Sequence, residues 1–206
     1  MAQMKETIRS VAIDLFFKKG YFATSISEIA RGCGIQKASI YYHFPGKEDL
    51  LFDIMQTTLT DLMAGLHAGL AASDRIEEKM RAAVHNHIRF HLDRQKETFI
   101  ASSELRGLSA DHFQAVVTQR DAYERIFQEL ICSGIRAGVF ASNDVKVLSY
   151  AILTLCTAGA TWYRPEGRLS VGQIAAIYEN FVLHGLKHGH PASGRPAELA
   201  CEPWPL

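Results

Sequence analysis

The stretch TSISEIARGCGIQKASIYYHFPGKEDL, residues 24–50, decides the fold because it encodes two short helices joined by a glycine turn. Ser25 can accept a hydrogen bond from the backbone N–H three residues on, and Glu28 can reach back to the N–H of Ser25. This pair predicts the start of a helix. Apolar residues then recur at helical spacing as far as Gly34, where a left-handed backbone would end the helix. The stretch therefore predicts a helix-turn-helix.

The second helix of this stretch has a face suited to a DNA groove. We expect Ile35, Ile40 and Phe44 to face inward, which leaves hydrogen-bond donors, a cation and flat rings on the outer face. Such side chains can contact base edges, thymine methyl groups and phosphates. Together with two residues at the start of the first helix, the predicted DNA contacts are Thr24, Ser25, Gln36, Lys37, Ala38, Ser39, Tyr41, Tyr42, His43 and Lys47.

Lys47 is a separate indication of an anion site. Pro45 and Gly46 interrupt the chain, and Lys47 then lies in the first turn of a new helix. A cation there is disfavoured by roughly 0.3 to 1 kcal/mol, because it is close to the positive end of the helix macrodipole. A DNA phosphate would reverse that sign, since helix N-termini and lysines both bind anions. The alternative is a solvated lysine.

These residues resemble those of the TetR family of one-component transcriptional regulators. The chain departs from the family pattern at Gln36, where serine is usual, and at Gly46, where serine or asparagine is common. Glutamine is a poorer N-cap than serine, so Gln36 is instead a candidate base reader. The match includes the ending YYHFPGKEDLL and runs through Phe16, Gly20, Tyr21, Thr24, Ile29, Ala30, Gly34, Ile35, Lys37, Ser39, Tyr41, His43, Phe44, Lys47, Leu50 and Leu51.

An apolar stripe precedes the motif and predicts a first helix that covers the other two. We expect Gly20 to end this helix, and we expect Tyr21 and Phe22 to pack between helices. The stripe consists of Ile8, Val11, Ala12, Leu15 and Phe16.

Composition is ordinary for a soluble protein of one or two domains, with 206 residues, 48% hydrophobic and 21% charged, and a net charge of zero. Residues 1–50 carry seven lysines and arginines against five acids, which weakly favours DNA as a partner. The four cysteines, at 33, 132, 156 and 201, show no paired spacing, and we find no signal peptide, so we expect a reduced, cytoplasmic setting. The longest apolar run is shorter than the ~20 residues of a membrane span.

Helical periodicity without strand alternation predicts an all-α fold. The predicted domains are a three-helix helix-turn-helix domain over 1–46, a helical ligand-binding and dimerisation domain over 47–188, and a flexible, proline-rich tail over 189–206. Breaks at glycine, proline and capping residues separate the later helices. Those helices are predicted over Lys47–Leu70, Arg75–Asp93, Glu97–Leu105, Asp111–Ala137, Asn143–Arg164 and Ser170–His188.

The family resemblance implies a homodimer and an effector pocket. The last two predicted helices are apolar on more than one side and resemble the pair that forms the family's four-helix dimer interface. A two-fold dimer implies an inverted-repeat operator with recognition helices ~34 to 36 Å apart, or a small multiple of that spacing. Candidate pocket residues, for which core packing is the alternative, are Met55, Leu59, Met63, His87, His91, Phe99, Phe113, Tyr123, Phe127, Trp162 and Arg164.

The segment Thr161–Arg168 bears on the ligand, because two rings and two arginines cluster where a helix ends. Arginine pairs with phosphate and tryptophan stacks on flat groups, and the segment resembles that of family members that sense acyl-CoA thioesters. The alternative is structural, with Arg164 capping the helix dipole and Trp162 packing at the dimer interface. An aromatic or multidrug-type effector of an efflux system is the other ligand class.

Other function classes have less support. His87 and His91 are four residues apart, but Ile88 stands where the HExxH motif of zinc hydrolases has its glutamate. We find no phosphate loop, nucleophile elbow or recognisable carboxylate pair. We therefore expect no catalytic residue, cofactor, metal or membrane partner, and we predict a repressor of double-stranded operator DNA that responds to a largely apolar small molecule. An interaction protein without operator specificity remains an alternative, with salt-dependent, sequence-independent binding as its signature.

Overall fold

The computed structural model describes residues 2–188, and within that range the chain is helical and has no β-strand, which confirms the all-α prediction. The tail predicted over 189–206 lies outside the described residues. The helices of the described chain are α1 (Ala2–Lys19), α2 (Ile26–Gly32), α3 (Lys37–His43), α4 (Lys47–Leu70), α5 (Ile76–Asp93), α6 (Gln95–Ser103), a 3-10 turn (Leu105–Gly107), α7 (Ala110–Arg136), α8 (Val145–Trp162) and α9 (Val171–His188).

The predicted bounds of the later helices agree with the structure to within two residues at each end. The larger differences have local causes. Helix α8 begins one residue after Asp144, whose side chain accepts a hydrogen bond from the N–H of Val147 and so acts as the N-cap. The same helix ends before Arg164, because a residue that precedes a proline is disfavoured in the helical region.

The local chemistry of the helix-turn-helix is as predicted. The N–H of Glu28 donates to Ser25 Oγ at 3.2 Å, and the N–H of Ser25 donates to Glu28 Oε2 at 2.9 Å, which completes the capping box. Gly34 has a φ of +67°, a left-handed conformation that glycine adopts without strain. The core that α1 to α3 share includes Ile8, Ala12, Phe16, Ile29, Ala30, Ile40 and Phe44.

Two compact units make up the chain. The first contains Met1–Asp61 and Arg94–Gln119, and the second contains Leu62–Asp93 and the chain from Arg120 onward. Helices α4 and α7 therefore each contribute one end to each unit. The unit that contains the helix-turn-helix also contains α6 and the 3-10 turn, and the domain boundary at residue 46 stays a prediction.

The core of the second unit forms around α5, which packs against α8 and α9. Gly159 of α8 permits a close approach, because a Cβ at this position would lie 2.7 Å from Ile88 Cδ1. Glu179 of α9 is buried, and its carboxylate pairs with Arg81 Nη1 at 3.3 Å and His85 Nδ1 at 2.7 Å. The buried carboxylate thus has two hydrogen-bonding partners on α5, of which Arg81 is a cation.

Helix α8 is apolar beyond what its own unit covers. In the described chain it is the one helix long and apolar enough to span a membrane by length and composition, a test that the core helix of a soluble protein also passes. Its neighbour α9 likewise has apolar side chains in contact with solvent. The exposed apolar residues of the two helices are Val147, Tyr150, Leu155, Trp162, Ile177 and Phe181, and we call this set the α8/α9 apolar face.

Two features differ from the sequence-based expectations. Phe22, expected to pack between helices, is 69% exposed, whereas Tyr21 is buried and contacts it edge to face. Cys33 and Cys156 are free thiols, as expected for a reduced protein, but Cys132 is disulfide-bonded. The expectation of unpaired cysteines is therefore wrong for Cys132 in this structure.

Candidate DNA-binding surface and effector region

Helix α3 presents the polar and aromatic face that the sequence predicts. Gln36, Lys37, Ala38 and Ser39 are exposed at its start. Further along, Tyr41 is 45% and Tyr42 is 72% exposed, and His43 is half-buried with its ring edge-on to Tyr42. Opposite this face, Ile40 is fully buried. The side chains are therefore available to a DNA groove while their helix is fixed to the core.

Two details of α3 favour contact with nucleic acid. The side chain of Gln36 makes no capping bond, although Gln36 occupies the N-cap position. The side-chain amide of Gln36 is therefore not used to cap the start of α3. The Lys37 ammonium lies 5.7 Å from the centre of the Tyr41 ring, one helical turn away, which aligns a cation and a phenol on the same face.

Thr24 and Ser25 are placed differently from each other. Thr24 is 2% exposed, and its hydroxyl donates to the Gly20 carbonyl at 2.9 Å, so its side chain serves the turn between α1 and α2. The DNA contact predicted for Thr24 stays a prediction, and its buried side chain does not favour it. Ser25 is exposed, but its hydroxyl is engaged in the capping box with Glu28.

Lys47 has protein partners where the sequence suggested a phosphate. Its Nζ donates to the carbonyl of Tyr21 at 3.0 Å and to that of Thr24 at 2.9 Å, and it lies 4.3 Å from the centre of the Tyr21 ring. Burial lowers the pKa of this ammonium from its usual value. Two carbonyl dipoles and an aromatic face thus compensate the cation at the start of α4. In the structure Lys47 therefore joins the turn before α2 to the start of α4.

Tyr21 connects several elements of the first unit. Its ring packs edge to face on Phe16 of α1 at a centroid distance of 5.3 Å. Its N–H donates to Glu104 Oε1 at 3.3 Å. Gly107 lies so close that an added Cβ would be 2.6 Å from the Tyr21 ring. The segment between α6 and α7 is therefore packed directly on the residue that Lys47 binds.

A second contact joins the start of α4 to the start of α7 within the same unit. Glu48 accepts hydrogen bonds from the backbone N–H of Ser109 at 2.7 Å and from His112 Nδ1 at 2.8 Å. These bonds lower the pKa of Glu48. The imidazole of His112 also stacks on Phe52 with a centroid distance of 3.9 Å.

Four of the predicted effector residues come together in the second unit. His87 is buried, with Nδ1 3.1 Å from the Tyr123 hydroxyl and Nε2 3.0 Å from Thr157 Oγ1. The ring of His91 lies 4.2 Å from that of His87, and the Phe127 ring contacts His87 edge to face at 6.1 Å. Burial lowers the pKa of both histidines, so they are neutral near pH 7.

The other predicted effector residues do not join this group. Met55 and Leu59 are core residues of the first unit, and Phe99 and Phe113 are exposed there, with Phe99 edge-on to Phe17. Met63 packs against the core of the second unit. Trp162 is 51% exposed and Arg164 is also exposed, whereas Tyr163 between them is buried. For these residues a ligand contact remains a prediction.

Sequence reasoning missed Thr157, Glu104 and Gly107. Thr157 is 70 positions from its partner His87, and Gly107 belongs to a short turn that only looked like a break between helices. No local pattern signals such partners. In the described part of the chain, no group of three or more histidine, cysteine, aspartate or glutamate side chains could hold a metal ion.

Comparison with known proteins identifies both parts of the chain. Residues 8–54 match the family model described as bacterial regulatory proteins, tetR family. Residues 73–186 match the model described as tetracyclin repressor-like, C-terminal domain. The matches are to transcriptional regulators, which confirms the prediction that the chain is not an enzyme.

Individual relatives match this chain over most of their own length. The HTH-type transcriptional repressor KstR2 of Rhodococcus jostii is 26% identical over 182 residues, covering 87% of this chain and 89% of the relative. A tetR-family regulatory protein from Rhodococcus RHA1 has a TM-score of 0.84 at 26% identity, with 90% of this chain and 98% of that one covered. AibR, solved with isovaleryl coenzyme A and operator DNA, shares the fold at a TM-score of 0.78 and 23% identity, covering 89% and 98%.

Replacement of Lys47 by methionine tests its structural role. The change keeps an unbranched side chain but removes the donor of two carbonyls, so we expect the free energy of unfolding to fall by about 1 to 3 kcal/mol. Urea denaturation followed by circular dichroism measures this. Lys37→Met is the matched control, because Lys37 is exposed and its loss should leave the unfolding midpoint unchanged. If Lys47→Met and Lys37→Met unfold at the same urea concentration, Lys47 has no structural role and is a solvated or phosphate-binding lysine.

Proposed function

Because the chain belongs to the TetR family of transcriptional regulators, we propose that it acts in the cytoplasm as a homodimeric repressor of a palindromic operator and is released by a largely apolar small molecule. The observation that carries the DNA part is the exposed face of α3 on a helix whose other side is fully buried. A short helix anchored in this way can present its side chains in a fixed register to a groove.

On this proposal the residues of α3 divide by position. Gln36, Lys37 and Ser39 lie at its start and reach base edges, while Ala38 allows close approach. Tyr41, Tyr42 and His43 follow and bind phosphates through hydroxyl or imidazole groups. Ser25 lies at the start of α2, where helix N-termini bind phosphate. Lys47 acts indirectly, by holding the turn before α2 against the start of α4.

The α8/α9 apolar face supports the homodimer. Phe181 is 67% exposed and Ile177 is 54% exposed one turn away on α9, while Val147 on α8 is 62% exposed. Apolar side chains at this density on two adjacent helices are unusual for a surface that meets only water. A second copy of the chain would cover both helices through a two-fold, self-complementary interface. Two recognition helices would then read the two halves of a palindrome.

Release from DNA requires two states of the dimer that differ in affinity for the operator. An effector shifts the balance only as far as it binds the DNA-incompetent state more tightly. A coupling free energy of about 1 to 3 kcal/mol would change operator affinity roughly 5- to 150-fold. By reciprocity, the operator would weaken effector binding by the same factor.

An acyl-CoA thioester is the effector class that the segment Thr161–Arg168 supports. Trp162 and Arg164 are exposed, and Arg164 has no ion-pair partner within residues 2–188. An exposed ring beside an arginine suits an adenine and a phosphate. AibR was solved with isovaleryl coenzyme A, which makes thioesters the first ligands to test on a chain of the same fold.

Lys37→Ala and Tyr42→Ala test the reading face. The operator is first obtained by selection from random duplexes, which should return an inverted repeat. Each variant should then bind that operator about tenfold more weakly or worse, because a base or phosphate contact is lost in each half-site. Mobility shift at fixed salt measures the affinity, and Lys18→Ala, exposed at the end of α1, is the control. Unchanged affinity in folded variants would refute the assignment of α3.

Phe181→Glu tests the dimer. A carboxylate in the centre of an apolar interface should shift sedimentation from dimer to monomer and weaken operator binding, while circular dichroism stays unchanged, because the side chain is exposed in the single chain. Phe22→Glu is the matched control, since Phe22 is 69% exposed in the first unit. A variant that remains dimeric would place the interface elsewhere.

Arg164→Ala tests the thioester. We expect one member of a panel of acyl-CoAs to release the wild-type protein from the operator, and the matching free acid to fail. The variant should bind DNA normally and need roughly two- to fivefold more thioester, the range of an exposed charge pair. Arg136→Ala, exposed at the end of α7, is the control. If the panel releases nothing, this ligand class is wrong, although the regulator stands.

A further inference from the structure

His91 is a buried polar side chain in the second unit with one nitrogen left without a partner. The residue is 7% exposed. Its Nδ1 lies 2.9 Å from the carbonyl oxygen of His87, and a carbonyl can only accept, so Nδ1 carries the proton. In a neutral imidazole the other nitrogen, Nε2, is then an acceptor. Within residues 2–188 no group donates to it.

The charge state of His91 follows from its surroundings. Burial lowers the pKa of His91, and the neighbouring imidazole of His87 is buried and neutral as well. His91 therefore offers a lone pair and repels acceptors. A carboxylate, phosphate or carbonyl at this place would meet a lone pair with another lone pair, so an anionic group does not fit here.

His87 provides a contrast on the same helix face. Its Nδ1 contacts the Tyr123 hydroxyl and its Nε2 contacts Thr157 Oγ1, so both nitrogens have partners inside the protein. The carbonyl of His87 in turn orients His91. Buried polar groups in folded proteins are nearly always paired with the protein or with ordered water, so Nε2 of His91 is a position where water or a ligand hydroxyl supplies the donor that the described chain does not.

The free nitrogen is also accessible. Among the described residues, Gln119 Oε1 is the one fully buried side-chain atom without a hydrogen-bond partner. His91 Nε2 also lacks a partner but is not in that class, so it is not fully buried. A group of the size of water or a hydroxyl can therefore reach it. Two rings lie near the imidazole of His91, with His87 at 4.2 Å and Phe90 at 6.3 Å from its centre, and Tyr123 and Phe127 pack on His87.

We infer that His91 Nε2 accepts a hydrogen bond from a hydroxyl group on a ring-bearing part of the effector. This inference rests on the proposed function, because it specifies which chemistry the second unit recognises. The rings around His91 favour a flat or alicyclic group, and the lone pair selects for a donor. An ether or ketone of the same shape would leave the nitrogen unpaired and bind more weakly.

Binding of 2-naphthol and 2-methoxynaphthalene to the full chain tests the inference by titration calorimetry. The two probes share a ring system, and only the naphthol has a donor. The wild-type protein should prefer naphthol by roughly three- to tenfold, and His91→Phe should bind the two equally. His67→Phe, the same substitution at an exposed position of α4, should keep the preference. The inference is overturned if naphthol does not bind, or if His91→Phe prefers naphthol to methoxynaphthalene as strongly as the wild type does.

Nitrogen-15 spectra of the wild-type histidines give a second measurement that needs no variant. The free protein should show His91 with the proton on Nδ1, and naphthol should shift the Nε2 resonance while methoxynaphthalene should not. If naphthol leaves Nε2 unchanged, or if the free protein shows the proton on Nε2, the inference is wrong. The outcome for the proposed function is separate, because operator binding is measured without either probe. A chain that binds its operator and ignores naphthol keeps the repressor and loses this site.

Discussion

The geometry of α3, the helix proposed to read DNA, depends on the Lys47 ammonium and the two backbone carbonyls that it binds. Those carbonyls, from Tyr21 and Thr24, belong to the turn before α2, whereas Lys47 begins α4. Helix α3 lies in sequence between these two points, so the contact closes the segment that contains it. A cation at a helix N-terminus is unfavourable by itself, and the carbonyl dipoles and the Tyr21 ring reverse that sign. The contact therefore fixes both ends of the segment that contains α2 and α3.

The closure also involves the segment that follows α6 in the first unit. Glu104 accepts from the N–H of Tyr21, and Gly107 lies against the Tyr21 ring at a distance that no side chain would permit. A larger residue at 107 would displace either the ring or the turn. Any movement of this 3-10 turn would therefore be felt at the residue to which Lys47 is bound. Contiguous packing of this kind can carry a displacement of the 3-10 turn to Tyr21.

Sequence reasoning succeeded where structure depends on near neighbours along the chain. Helix periodicity located α4 to α9, and the capping box of Ser25 and Glu28 and the left-handed Gly34 needed only local spacing. It does not reach contacts that long-range packing decides. The partners that the structure gives Lys47 within the chain lie 23 and 26 residues earlier, and no local spacing indicates them.

The effector residues show the same limit. An aromatic residue on a helix contacts whatever the tertiary fold places opposite it, and periodicity does not distinguish a core position such as Phe127 from an exposed one such as Phe99. The family resemblance placed both in one pocket. The structure puts them in different units, with Phe127 beside His87 and Phe99 beside Phe17.

The two proposed recognition surfaces differ in how far their polar groups are exposed to water. The face of α3 is polar and exposed to water, so on the proposed function its specificity would come from matching donors and acceptors on base edges in competition with water. The group around His91 is buried and has its polar atoms paired internally, apart from one nitrogen. An apolar pocket distinguishes ligands weakly by size, whereas a buried acceptor penalises every ligand that fails to pair it. A single unpaired lone pair among rings can therefore confer more selectivity than several further hydrophobic contacts, which makes His91 the residue on which ligand discrimination in this unit would depend.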